Sequence, residues 1–185
     1  MVSIMFKIIQ KYNNCRRCNL HTTRRNIVFG RGSHKADIIF IGEGPGKSED
    51  LIGLPFIGRS GKLLDETIKR AKELSRIPDT IFIDYYITNI VCCHPTNRFS
   101  GENRPPTKEE AYACYPRLLE QIEYINPKCV ITLGKIPADF CKELPYLQFN
   151  LYHPAFILRT GGTCSKYYQE YVRKLINIFE RIILK

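Results

Sequence analysis

The chain has 185 residues, with 28 Lys and Arg against 18 Asp and Glu, which gives a formal net charge of +10. A hydrophobic fraction of 44% excludes a disordered chain, and no apolar run approaches the roughly 18 residues of a membrane-spanning helix. The first residues lack the apolar segment and cleavage site of a secretory signal, so we expect an intracellular protein, cytoplasmic or associated with the nucleoid. The surplus of cations suits either a solubilising surface or a polyanionic partner such as nucleic acid.

The spacing of apolar residues predicts helices that alternate with short strands. In chain order the sequence predicts a helix over 1–14, a strand over 37–42, a helix over 62–75 and a strand region over 81–91. A helix follows from Thr107 to about 124, with Thr107 and Glu110 forming a capping box at its start. The remaining elements are a strand over 129–134, a short helix, a strand over 149–153 and an amphipathic helix over 165–185. The length suits one domain, 1–185, of the α/β class, with a parallel sheet covered by helices on both faces.

Four short segments follow the predicted strands: GEGPG, TNIVCC, TLGK and YHPA. In parallel sheets the functional residues collect at the carboxyl ends of the strands, so side chains from these segments are expected to meet. Glu43, Asn89 and His153 are therefore candidates for a site, although each residue type also serves structural roles in turns. Phe56, in the loop before the first long helix, is either a core residue or a platform for stacking.

Eight cysteines in a chain without an export signal point to metal or redox chemistry rather than to disulfides. Cys15 and Cys18 have the C-x-x-C spacing of a metal or cluster site, which also occurs in redox pairs. With Cys114 and either Cys92 or Cys93, four thiolates from three segments would suit zinc or an iron–sulfur cluster, and spacing alone does not separate the two. The remaining cysteines are expected to be buried or free thiols: Cys129, Cys141 and Cys164.

Six motifs occur in a fixed order along the chain. They are CRRC (15–18), GEGPGKSEDLIGLPFIGRSGKLLDE (42–66), TNIVCCHPTNR (88–98), PPTKEEAYAC (105–114), ITLGK (131–135) and YHPAFILR (152–159). In order and spacing they resemble the iron–sulfur uracil-DNA glycosylases, family 4 of the uracil-DNA glycosylase superfamily. The resemblance runs from Cys15 to Arg159, which is most of the chain.

The resemblance implies a fold, a reaction and a cofactor. The fold would be a three-layer α/β/α sandwich on a four-stranded parallel sheet. The reaction would be hydrolysis of the N-glycosidic bond of deoxyuridine in single- or double-stranded DNA, by a monomer, releasing uracil and leaving an abasic site. The cofactor would be a 4Fe–4S cluster held by four cysteines: Cys15, Cys18, Cys93 and Cys114.

The resemblance also implies roles for the residues of a base pocket. Asn89 would read the polar edge of uracil, Phe56 would stack on the flipped base, and His153 would donate a hydrogen bond to uracil O2. Since uracil leaves as an anion with charge on O2, such a donor would stabilise charge that develops in the transition state. The first motif would line the pocket and help to place the attacking water: Gly42, Glu43 and Gly44.

Three arginines are candidates for contacts to DNA phosphates: Arg59, Arg98 and Arg159. Such contacts supply the salt-sensitive part of the affinity for DNA. In the family the segment that corresponds to residues 155–159 faces the minor groove.

The sequence departs from the family pattern after the second strand. Cys92 stands where a basic residue is common, and His94 stands where Arg is usual. The segment VCC therefore offers two adjacent candidates for one cluster ligand, Cys92 and Cys93. Aligning the motif to the family pattern through Asn89 favours Cys93. The departure at His94 weakens any expectation of a DNA contact there.

Two other classes of function compete with a repair enzyme. One is a catalytically altered or inactive DNA-binding protein with the same fold, although the inserted basic loop with which a related branch traps DNA is not seen here. The other is a zinc-stabilised nucleic-acid-binding protein without a base pocket. That class would explain the cysteines and the charge, but not Glu43, Phe56, Asn89 and His153 together.

Overall fold

The computed structural model describes residues 4–97 and 100–184. The helices of this part of the chain are α1 (Ile4–Tyr12), α2 (Lys47–Ile52), α3 (Arg59–Leu74), α4 (Lys108–Ile125), α5 (Lys135–Cys141), α6 (Pro154–Arg159) and α7 (Lys166–Ile183). The strands are β1 (Arg31–Gly32), β2 (Ile38–Gly42), β3 (Tyr85–Asn89), β4 (Cys129–Leu133) and β5 (Leu147–Leu151).

The strands form one sheet in the order β1-β3-β2-β4-β5. Strands β2 to β5 are parallel, as predicted, and β1 adds an antiparallel edge in which Arg31 pairs with Ile87. The predicted sheet of four parallel strands was wrong in this respect, because the sheet has five strands and is mixed. A strand of two residues is too short to show an alternation of apolar and polar residues, so its sequence gave no signal.

The parallel strands are buried on both faces, and their side chains divide between two cores. In β2, Ile39 and Ile41 pack with residues of α1 and α4, whereas Ile38 and Phe40 pack with residues of α3 and α7. This division explains the continuous apolar runs, because a strand covered on both sides has no solvent-facing positions. The α/β class and helices on both faces of the sheet are therefore confirmed.

Helix α4 begins at the predicted capping box. The Thr107 side chain accepts a hydrogen bond from the Glu110 backbone N–H, and the Glu110 carboxylate accepts one from the Thr107 N–H. That carboxylate also makes two hydrogen bonds to Arg104, at 2.6 and 2.8 Å. The cap fixes the start of the helix that carries Cys114.

Two short helices were not predicted. Helix α2 lies within the segment expected to be a loop, and α6 begins directly after His153, whose side chain is its N-cap. Each has six residues, which is too short for a helical period to stand out. In the described ranges no helix is long and apolar enough to span a membrane.

Candidate active site

The carboxyl ends of the parallel strands open into one cleft. Its lining includes five residues named from the sequence: Glu43, Gly44, Phe56, Asn89 and His153. Gly42, the last residue of β2, lies behind them. A β-carbon at Gly42 would come within 2.5 Å of both Asn89 Oδ1 and the ring of Phe56, so only glycine fits there.

Asn89 ends β3 with its side-chain amide buried and without a partner. Its exposed fraction is 1%, and neither Nδ2 nor Oδ1 has a hydrogen-bond partner among the described residues. Burying an amide in this way costs free energy unless a partner arrives. The arrangement offers one donor and one acceptor, side by side, to a polar ligand in the cleft.

His153 is held as a neutral hydrogen-bond donor. Its Nδ1 accepts from the backbone N–H of Ala155 at 3.1 Å, so the proton of the neutral ring is assigned to Nε2. Burial, together with the positive charge of Arg159, lowers the pKa of His153 to about 4. The imidazole therefore presents an uncharged N–H at neutral pH.

Phe56 lies against His153 in an uncommon backbone conformation. Their ring centroids are 5.9 Å apart with an interplanar angle of 35°, and Phe56 has a φ of 53°. The surrounding loop is tied down on both sides. Glu49 accepts hydrogen bonds from the N–H groups of Ile57 and Gly58, and Arg31 donates to the Phe56 carbonyl at 3.2 Å. Such over-determination keeps a strained residue in place.

Glu43 supplies a carboxyl group to the same cleft. Burial raises its pKa above the ordinary value. The next residue, Gly44, lies so close to the loop after β3 that a β-carbon there would meet Val91 at 2.9 Å and Pro95 at 3.1 Å. The two glycines on either side of Glu43 thus allow close packing of the strand ends and keep the carboxyl group at the cleft.

The three arginines predicted to contact DNA have different positions. Arg159 is exposed and lines the cleft. Arg59 is exposed at the start of α3 and is not among the cleft residues. Arg98 lies outside the described residues.

Several residues that shape the cleft were missed in the sequence. Arg104 and Asn103 both line it. Arg104 is paired with Glu110, and Asn103 Oδ1 lies 2.6 Å from His94 Nε2. Glu49 also lines it. Their partners are fixed by tertiary contacts of the loops, which no local periodicity reveals.

Five cysteines line a second pocket, on the α1 and α4 side of the sheet. They are Cys15, Cys18, Cys92, Cys93 and Cys114. Arg17, Arg24 and Arg117 share the lining. Arg24 Nη1 lies 3.5 Å from Cys93 Sγ, and Arg117 Nη2 lies 3.5 Å from Cys114 Sγ. Guanidinium groups beside sulfur favour thiolates, the form that binds metals. At Cys93 burial outweighs Arg24 and raises the pKa of the thiol to about 12.

The metal-binding groups in the lining of this pocket are cysteine thiols. The described residues include no group of three or more His, Cys, Asp or Glu side chains placed to hold a metal ion. The donor set is nonetheless all-thiol and cation-flanked, which suits an iron–sulfur cluster. Cys92 and Cys93 are both buried and line this pocket together with Cys114.

The other three cysteines lie away from this pocket. Cys129 and Cys141 are buried, one in each core, and Cys164 is exposed. They are therefore the buried and free thiols that the sequence predicted.

Comparison with known proteins agrees with this geometry. Residues 29–176 match the family described as Uracil DNA glycosylase superfamily. Curated relatives include the type-4 uracil-DNA glycosylases of Archaeoglobus fulgidus (42% identical, covering 77% of this chain and 66% of the relative), Saccharolobus solfataricus (44%, covering 69% and 54%) and Sulfurisphaera tokodaii (44%, covering 82% and 74%). The matched part of the chain thus spans between about half and three quarters of the length of these relatives. The chain belongs to the uracil-DNA glycosylase superfamily, and within it to the type-4 group.

The low pKa of His153 predicts a specific titration. In ¹⁵N NMR of histidine-labelled protein, we expect a midpoint near 4 for His153, with Nε2 protonated above it. Because the pKa in the unfolded chain is about 6.5, the unfolded state takes up the proton first. The stability that this group contributes is complete above about pH 6.5 and declines as pH falls toward 4. A midpoint between 6 and 7 would contradict the assignment.

The unpartnered amide of Asn89 predicts an unusual effect on stability. Asn89→Leu removes two unsatisfied polar atoms, so the free energy of unfolding should stay unchanged or rise by about 1 kcal/mol. The matched control is Thr88→Val, since the Thr88 hydroxyl donates to the Phe29 carbonyl and accepts from Arg117. That control should lose about 1–3 kcal/mol in urea unfolding. Equal losses in the two variants would show that Asn89 is structural.

Proposed function

We propose that this chain excises uracil from DNA by hydrolysing the N-glycosidic bond, leaving an abasic site. The observation that carries the proposal is the buried Asn89 amide, which has no partner and shares a cleft with a neutral His153 and the ring of Phe56. Membership of the type-4 group supports the same reaction, because the relatives in that group are named for it.

The cleft suits a base that has left the double helix. A base within a duplex cannot reach such a site, so it is flipped out at a cost of a few kcal/mol. Phe56 offers an aromatic face on which the base stacks. The Asn89 amide donates to uracil O4 through Nδ2 and accepts from N3–H through Oδ1. These contacts satisfy the two polar atoms that the protein leaves unpartnered.

His153 acts on the charge that develops during bond cleavage. The C1′–N1 bond breaks with its electron pair moving to uracil, and the negative charge appears on O2. The Nε2–H of His153 donates to O2, an interaction that strengthens as the charge grows. A low pKa suits this role, because a neutral imidazole is already a donor at pH 7 and needs no proton uptake.

Glu43 acts on the sugar side of the reaction. The sugar becomes oxocarbenium-like as the base departs, and a nearby carboxylate either stabilises that cation or orients the attacking water. Water then adds its oxygen to C1′, and its proton goes to the departing uracil. The products are free uracil and an abasic site.

Exposed cations bring the cleft to DNA. Arg159 at the rim of the cleft and Arg59 at the start of α3 provide contacts to phosphates. Arg98 is proposed for the same role from its sequence position alone. The excess of 10 positive charges over the whole chain favours the same polyanion.

The cysteine pocket would hold a 4Fe–4S cluster through Cys15, Cys18, Cys93 and Cys114. When bound, the cluster supplies a covalent cross-link between three segments of the chain. Cys15 and Cys18 follow α1, Cys93 follows β3, and Cys114 lies in α4. Ligation of Cys93 would thus fix the loop that leads out of the cleft.

Removing the His153 donor should slow excision sharply. We expect His153→Ala to release uracil about 100- to 1000-fold more slowly than the wild type, which is the usual loss for one transition-state donor. The measurement is single-turnover cleavage of a uracil-containing oligonucleotide. The control is His34→Ala, an exposed histidine outside the cleft, which should leave the rate unchanged.

The same assay separates the competing functions. A wild-type protein that binds the oligonucleotide but releases no uracil would be an inactive DNA-binding protein of this fold. An unchanged rate in His153→Ala would overturn the role of the imidazole.

The composition of the metal centre should follow from the cysteine set. Protein purified without oxygen should be brown and contain about four iron and four sulfide per chain. Cys93→Ser and Cys114→Ser should lose the colour and the iron. Cys164→Ser, at an exposed cysteine, should keep both. A colourless protein that holds zinc would contradict the cluster, and loss of iron in Cys92→Ser but not in Cys93→Ser would reassign the ligand.

A further inference from the structure

The side chain of Arg117 lies between the cysteine pocket and the base pocket. It projects from α4 and is almost completely buried, with an exposed fraction of 1%. Its Nη1 donates to Thr88 Oγ1 at 3.1 Å and to Gln121 Oε1 at 2.7 Å. The bond to Thr88 holds one side of the guanidinium against β3, and the bond to Gln121 ties it to its own helix.

The other side of the guanidinium connects the two pockets. Nη2 lies 2.8 Å from the Asn89 carbonyl, 3.0 Å from the Ile90 carbonyl and 3.5 Å from Cys114 Sγ. Nη2 carries two hydrogens, so three acceptors share two donors. The sulfur and the two carbonyls therefore set the position of this nitrogen together.

The buried charge of Arg117 has no carboxylate partner. Among the described residues, no Asp or Glu oxygen lies within 4.0 Å of its guanidinium, and its Nε has no hydrogen-bond partner. A buried cation is costly unless an opposite charge compensates it. Of the groups that accept its hydrogen bonds, Cys114 is the one that a cluster would hold, so an occupied pocket and the guanidinium would share this sulfur.

The position of Asn89 depends on its backbone. No hydrogen bond from the described residues holds the side-chain amide, so its position depends on the Asn89 backbone, which pairs with β2 and accepts from Arg117 through its carbonyl. A cluster that held the Cys114 sulfur in place would thus also fix the guanidinium and, through it, the backbone of the residue that faces the base.

We propose that Arg117 is a positioning residue that couples an occupied cysteine pocket to the placement of Asn89, so that cluster and uracil strengthen each other's binding. This inference rests on the proposed function. It predicts a reciprocal effect, because coupling between two sites changes both affinities by the same factor. A merely structural role for the buried arginine would lower stability without coupling the two ligands.

The test measures the binding of free uracil by calorimetry. In the wild type, removing iron with a chelator should weaken uracil binding by about 5-fold or more, and saturating uracil should slow iron loss. In Arg117→Met, uracil should bind about as weakly as to the iron-free wild type, and removing iron should then change the affinity by less than about twofold. Uracil should no longer slow iron loss from this variant.

A matched control separates coupling from stability. Ile178→Ala opens a cavity in the core on the opposite face of the sheet, so it should lower the unfolding midpoint and keep the wild-type coupling. If Arg117→Met does not fold, Arg117→Lys decides. A lysine keeps the charge but lacks the planar fork, so uracil should bind about threefold more weakly or worse at unchanged iron content.

The outcomes also separate this inference from the proposed function. The wild type could excise and bind uracil while the arginine variants keep the wild-type effect of iron on uracil binding. That result would overturn the role of Arg117 alone. A wild type that neither excises nor binds uracil would overturn the proposed function, and the inference with it.

Discussion

The parallel pairing of β2 with β3 sets the geometry on which the site depends. Its register places Gly42 directly opposite Asn89 at the carboxyl ends of the two strands. A glycine is required there because a β-carbon would collide with the Asn89 amide and with Phe56. The close approach lets an aromatic ring, an amide and, from the end of β5, the imidazole of His153 face one cleft. A one-residue slip of the pairing would carry Asn89 away from Phe56 and His153.

The cysteine pocket and the cleft share one segment of the chain, the residues that follow β3. Asn89 faces the cleft, and Cys92 and Cys93, three and four residues later, line the pocket that the cysteines of the other segments share. A cross-link at Cys93 would therefore restrain the same short segment that carries Asn89. Because Arg117 contacts both the Asn89 carbonyl and the sulfur of Cys114, the two pockets are joined by hydrogen bonds as well as by the chain.

The sequence predicted the parts of the structure that depend on local patterns. Apolar runs located β2 and β4, and the Thr107–Glu110 capping box located the start of α4. The motifs also named Glu43, Phe56, Asn89 and His153, which the fold brings to one cleft. The pairing of β1 and the contacts of Glu49 and Arg117 depend on residues far apart in the chain, so no local pattern contains them. The contributions of the arginines to DNA binding and the ligands of the cluster stay predictions.

The central claim is that the Asn89 amide receives the polar edge of uracil, and its side-chain NMR signal tests that claim most directly. The signal should be followed while the protein is titrated with 1-methyluracil and, separately, with 3-methyluracil. The two ligands differ only in the ring nitrogen that carries the methyl group, and only the first keeps the N3–H that Oδ1 accepts. We predict a saturable shift with 1-methyluracil and none with 3-methyluracil at the same concentration. Equal shifts with both ligands, or none with either, would contradict the account.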